Sequence, residues 1–219
     1  MKNNGRVYQN LPAIIVEELR EAIFRGEIKA GQRLKQEEIA QRFESSLIPV
    51  REALRSLETE GLVTFYPNKG AIVSQLSSEE VRQIFETRII LEQGALGLSI
   101  PKLTETDIEE AVKYIALLDA ATTGKELSNY NKELHNLLYR HCNNKHLLNM
   151  IDGLHHNVER YMRPYLLNEH NNELSQEYHR KIVSAAKAKQ IQKAKEYLET
   201  HMEMAMSDLI NALDKNKEE

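Results

Sequence analysis

"SSLIPVREALRSLETEGL", residues 45–62, is the stretch from which the fold can be read. Val50, Ala53, Leu54 and Leu57 recur at helical spacing and form one apolar stripe. Pro49 suits a first turn, where its missing N–H would be unpaired anyway; Ser46 is placed to cap that turn and Gly61 to stop the helix. Arg51 and Arg55 lie four residues apart and so share another face, with Leu47 near its tip. Two accounts of that face stand side by side. Guanidinium forks can bind guanine bidentately or clamp phosphate, or they can solvate a helix and pair with Glu52, Glu58 or Glu60, as charged helix faces commonly do.

The flanking segments favour the first account. Leu11, Ile14, Ile15, Leu19, Ala22 and Ile23 follow helical spacing up to Gly26, and after a turn at Gly31 the run "KQEEIAQRF" adds Ile39, Ala40 and Phe43 as a short second helix. Downstream, "LVTFY" and "AIVSQL" are rich in strand formers and flank "PNKG", which predicts a hairpin. Three short helices and a two-stranded wing make a winged helix-turn-helix, whose second paired helix enters the major groove by its N-terminal end. Ser46, Leu47, Arg51, Arg55 and the wing-tip pair Lys69 and Gly70 are the candidate DNA-contacting residues.

From Ser77 onward strand signals vanish. "SSEEVRQIFETRIILEQGALGLSI" opens on a Ser cap with Glu three residues later, and further amphipathic runs follow to the end of the chain. The pattern predicts a mainly α protein: a winged head over residues 1–76 and an all-α antiparallel bundle of about six helices over 77–219. Of the 219 residues, the head holds 11 Lys+Arg against 10 Asp+Glu and the rest 18 against 23, so a weakly basic head adjoins an acidic body. The single Cys142 cannot form an intramolecular disulfide, no run of 18 apolar residues occurs, and the N-terminal stretch lacks a signal-peptide pattern, so a cytoplasmic protein without membrane contact is expected.

"GEIKAGQRLKQEEIAQRF", "PVREALRSLETEGLV" and "NKGAIVSQL" resemble the N-terminal domain of GntR-type transcriptional regulators, and the helical remainder is similar to their FCD-type ligand-binding domain, the class of the FadR subfamily. The resemblance implies a homodimer placing two heads on a palindromic operator, with repression as the usual direction, and a small effector bound in the helical domain. One departure stands out. The family pattern Ser-Arg-Thr-Pro-Val-Arg is here Ser46-Leu47-Ile48-Pro49-Val50-Arg51, so the first arginine is missing and Leu47 occupies its place. An apolar side chain there can touch a thymine methyl, or the change can equally mark an altered or weakened operator preference.

All eight histidines follow residue 134. A histidine taken alone is more often a surface or hydrogen-bonded residue than a ligand. Metal-binding FCD domains, however, show Asp, three residues, His, a later His, and another His after 21 more, and "NYNKELH", "EYHRK" and "ETHME" reproduce the three imidazoles as His135, His179 and His201. Asn131 replaces the acidic member; its carbonyl oxygen can coordinate but brings no charge. The resemblance thus implies a divalent ion, zinc or nickel foremost. Three ligands with open positions also describe a catalytic zinc site, but there is no HExxH and no carboxylate placed as general base, and no enzyme activity is expected. His141, His146, His155, His156 and His170 receive no ligand role, and Cys142 is placed in the core. Arg88, among Ile84, Phe85, Ile89 and Leu91, either pairs with Glu92 one turn on or, as the resemblance implies, faces the cavity and holds the carboxylate of the effector.

Overall fold

In the computed structural model, residues 4–75, 77–166 and 169–218 are described, with side chains for all of these except 4–10, 160, 163–165, 169–171 and 216–218; Leu76 and the His170 side chain therefore lie outside the described residues. The chain divides into two compact units, Met1–Gln75 and Leu76–Glu219.

In the first unit, α1 (Asn4–Phe24) packs on α3 (Leu47–Thr59), with α2 (Gln36–Arg42) against α3. The stripe Val50, Ala53, Leu54 and Leu57 is completely buried and meets Ile15, Leu19 and Ile23 of α1 in one core. Gly26 and Gly61 both adopt φ near +75°, the left-handed conformation that ends a helix without a Cβ penalty. Beside the helices lies a three-stranded antiparallel sheet of order β1 (Arg33–Leu34), β3 (Gly70–Val73), β2 (Val63–Tyr66). The hairpin pairs Val63 with Val73 and Tyr66 with Gly70, and Ala71 and Val73 point into the core. The third strand corrects the sequence reading, which treats residues 28–34 as a turn only: Leu34 is buried and pairs with Ala71, so tertiary contact extends a two-residue segment that has no periodicity to reveal it.

The second unit is all helical among its described residues: α4 (Ser78–Ser99), α5 (Glu105–Ala120), α6 (Gly124–Tyr139), α7 (Lys145–Leu166), α8 (Glu169–Lys187) and α9 (Ile191–Glu218), with 3-10 turns at Ile100–Lys102 and Arg140–Cys142. Helix α4 packs against α9, α7 and α6, while α8 lies against α9 and α5. Capping boxes start α4 (Ser77/Glu80), α5 (Thr104/Asp107) and α6 (Thr123/Glu126), each satisfying orphan N–H groups reciprocally. Phe85, Leu96, Leu134, Leu137 and Tyr139 anchor the core, and Cys142 is buried within it. Among the described residues no helix is long and apolar enough to cross a membrane.

Candidate nucleic-acid interface and metal centre

The start of α3 differs from its sequence reading in a useful way. Ser46 sits at the cap position in extended conformation, but its side chain makes no cap hydrogen bond. The first-turn N–H groups of α3 therefore have no side-chain cap, which is how helix starts receive phosphate oxygens. Leu47 is half-buried and packs on the core of the head, whereas Ile48 beside it is 67% exposed. The exposed apolar side chain of this turn is thus Ile48, a residue that periodicity alone does not single out because it lies off the buried stripe.

The two arginines separate. Arg51 is exposed, and its Nε donates to Gln36 Oε1 at 2.9 Å, which ties it to α2. Arg55 donates to Glu58 Oε2 at 2.6 Å and lies 4.3 Å above the Phe65 ring, while Glu58 Oε1 accepts the Phe65 N–H at 3.3 Å. Arg55 therefore does have the intrahelical partner that the plainer account foresees. Glu60 instead pairs with Arg20 of α1. At the wing tip Asn68 and Gly70 have φ of 64° and 76°, a tight turn that leaves Lys69 exposed.

In the second unit, α6, α8 and α9 bring His135, His179 and His201 together. One nitrogen from each lies within 4.8 Å of the others, with ring centroids 5.3 Å (His135–His179), 5.5 Å (His135–His201) and 4.6 Å (His179–His201) apart. All three are buried, and burial keeps them neutral: His135 and His179 titrate well below the ordinary imidazole range, and His201 is lowered to about 4 by burial and by the nearby Arg88 charge. Neutral imidazoles are the form that binds metal. His179 supplies the sharpest test of fit, because its Nε2 is buried with no hydrogen-bond partner among the described residues, the kind of cost a protein carries when the atom has a ligand.

The same site opens on a cavity of about 30 Å³ whose lining includes Arg88, Ser128, Asn131, His135, His155 and His201. That volume holds an ion or a water-sized group, not an organic acid of several atoms. Asn131, one turn before His135, is half-buried on this lining. Arg88 forms the intrahelical pair, its Nε donating to Glu92 Oε1 at 2.8 Å, and its side chain also lines the cavity. Glu92 also accepts from the Tyr139 hydroxyl at 2.8 Å, and that oxygen lies 2.9 Å from His135 Nδ1. His155, without a role in the sequence reading, has a buried Nδ1 lacking a partner among the described residues and is kept neutral by burial and by Arg88. Its spacing matches no ligand pattern, so only the packing of α7 against α4 and α6 reveals it.

These buried imidazoles dictate an acid response. An imidazole lowered to about 4 in the folded chain, against 6.5 unfolded, contributes its full stability above pH 6.5 and loses it as pH falls through 4. For His201 alone the span corresponds to about 3 kcal/mol, and His135, His179 and His155 shift in the same direction. Urea titrations of the metal-free chain at pH 7.5 and 4.5 should differ by at least this amount; equal midpoints would refute the buried-neutral state.

Comparison with known proteins accords with this architecture. Residues 13–73 match the bacterial regulatory proteins of the gntR family, and residues 83–204 match the FCD domain. The chain is 28% identical over 205 residues to the uncharacterized HTH-type transcriptional regulator YdhC of Bacillus subtilis, covering 92% of each. It is 32% identical to a GntR family transcriptional regulator from Pseudomonas syringae pv. tomato, whose crystal structure it matches with a TM-score of 0.59 over 96% of this chain and 89% of that one. The fold of Escherichia coli McbR/YncC is matched with a TM-score of 0.77 at 24% identity, over 92% of this chain and 98% of that one. With a winged head, an FCD body and these relatives, the chain belongs to the GntR family and is a DNA-binding transcriptional regulator, not an enzyme.

Proposed function

We propose that this is a homodimeric, metal-assisted sensor of a small carboxylate, of the FadR subfamily, acting in the cytoplasm as a repressor. Residues 1–76 bind one half-site of a palindromic operator, and residues 77–219 dimerise and bind the effector. The observation that carries the sensing half is the orphaned, buried Nε2 of His179 beside His135 and His201, the latter two lining a cavity together with Arg88. His135, His179 and His201 would hold a divalent ion, zinc or nickel, with the Asn131 carbonyl as a neutral fourth donor. Such an ion supplies a Lewis-acidic point for a carboxylate oxygen. Arg88, oriented by Glu92, offers the complementary cation.

Because the cavity is about 30 Å³, an effector of several atoms requires the side chains or helices that line it to move. Close-packed helices yield in discrete steps, so binding selects a different packing of the bundle, as a switch requires. In the head, Arg51, Lys69, Gly70 and the first turn at Ser46 and Leu47 face DNA, with Arg55 contributing from its place over Phe65. A symmetric dimer then reads two half-sites whose spacing its own geometry sets.

The test selects genomic fragments retained by the purified protein and measures metal on the same sample. A palindromic site and about one ion per chain are expected; a preparation that retains no specific fragment refutes the operator reading, and one that takes up no divalent ion refutes the metal reading. Leu47→Arg adds a charge at the helix tip and removes a half-buried contact. It should steepen the salt dependence of operator binding by about one ion per head and change base preference at one position of each half-site, read by comparing selected sequences.

A further inference from the structure

Arg88, Glu92, Tyr139 and His135 form a continuous buried polar chain across α4 and α6: Arg88 Nε to Glu92 Oε1 at 2.8 Å, the Tyr139 hydroxyl to Glu92 Oε2 at 2.8 Å, and Tyr139 oxygen to His135 Nδ1 at 2.9 Å. A phenol has one proton. Once it is donated to Glu92, the oxygen can meet Nδ1 only as an acceptor, so Nδ1 carries the imidazole hydrogen and the lone pair is on Nε2. His179 is set the same way by a different partner. Its Nδ1 lies 3.1 Å from Gln176 Oε1, an amide oxygen that only accepts, and its Nε2 is the buried atom without a partner. Two histidines on different helices are thus held in one tautomer, each with Nε2 as its acceptor.

We infer that Tyr139 and Glu92 are positioning residues for a divalent cation: they lock His135 with its hydrogen on Nδ1 and so make Nε2 its ligand atom. The inference rests on the three-histidine reading proposed above. Burying a carboxylate and a phenol at 1% exposure each is costly unless every member is satisfied, and this chain satisfies each of them. Hydrogen-bonded partners of this kind orient a ligating imidazole and raise its basicity. Without the phenol hydroxyl, His135 Nδ1–H would lack its buried acceptor, and the opposite tautomer, which blocks Nε2, would compete.

Tyr139→Phe keeps the ring and deletes the hydroxyl. Competition titration of the full chain with Ni(II) against a chelator should show affinity reduced by about 10- to 100-fold, with circular dichroism of the metal-free variant unchanged. Equal affinity in wild type and variant overturns the inference alone; failure of the wild type to bind Ni(II) overturns the three-histidine reading and the inference with it. A second measurement needs no variant. In metal-free, ¹⁵N-histidine-labelled wild type, two-bond ¹⁵N–¹H spectra should show the His135 hydrogen on Nδ1, and finding it on Nε2 overturns the inference even if Tyr139→Phe fails to fold.

Discussion

His179→Ala is expected to weaken divalent-metal binding by roughly 100-fold or more, since each of three or four ligands carries about 3 kcal/mol of a typical protein–zinc interaction. The accompanying stability change separates a ligand from a structural histidine. At metal concentrations 1,000 times its dissociation constant the wild-type chain gains about 4 kcal/mol of stability, which for a domain of this size raises the melting temperature by roughly 8–16 °C. At the same concentration the variant should gain less than about half of that. Without metal the order need not follow. Removing an imidazole opens a small cavity, but it also removes the buried Nε2 that has no partner, a group whose desolvation costs about 1–3 kcal/mol. The buried Gln176 Oε1 also loses its partner, so these terms offset and the metal-free variant should melt close to the metal-free wild type. Differential scanning calorimetry with and without Ni(II) checks both halves, and a variant that melts far below the wild type without metal would mark His179 as structural.

Arg51→Ala should be the most damaging single change in the head. A bidentate arginine contributes about 1–3 kcal/mol of base discrimination, and a symmetric dimer carries two, so operator affinity should fall by about 2–6 kcal/mol. Arg55→Ala should cost less on DNA and more in folding, because Arg55 is already engaged by Glu58 and the Phe65 ring while Arg51 meets Gln36 through Nε alone among the described residues. Mobility-shift titrations of both variants on the same palindrome, paired with their melting temperatures, test the contrast. Equal losses on DNA would return Arg55 to the same rank as Arg51, and an unchanged Arg51→Ala titration would remove the groove-facing role altogether.

Much of this protein could be read along the chain because its determinants are local. The stripe at Val50, Ala53, Leu54 and Leu57 has helical period, the glycines at 26 and 61 mark helix ends, and Ser77 with Glu80 spells a capping box; the fully buried stripe, the left-handed glycines and the formed box follow from those patterns. The elements that escaped are those held by contacts distant in sequence. Strand β1 exists because Leu34 finds Ala71, and the Ser46 side chain leaves its cap position unused although the residue type favours capping.

The division is sharpest at the metal centre. His135, His179 and His201 are named by spacing and family resemblance, yet their separation along the chain says nothing of whether three helices bring them within 4.8 Å or leave them neutral. Residue types and periodicity determined the helices and the winged head, because propensity, capping and one-sided burial act over a few residues, while the candidate ligands came from the family resemblance. Only the tertiary packing decided that Tyr139 and Glu92 join Arg88 to His135, that Arg55 meets Glu58 and the Phe65 ring while Arg51 meets Gln36, and that His155 belongs beside the cavity. Hydrogen-bond satisfaction and desolvation are set by which atoms meet across helices, and that is a property of tertiary structure alone.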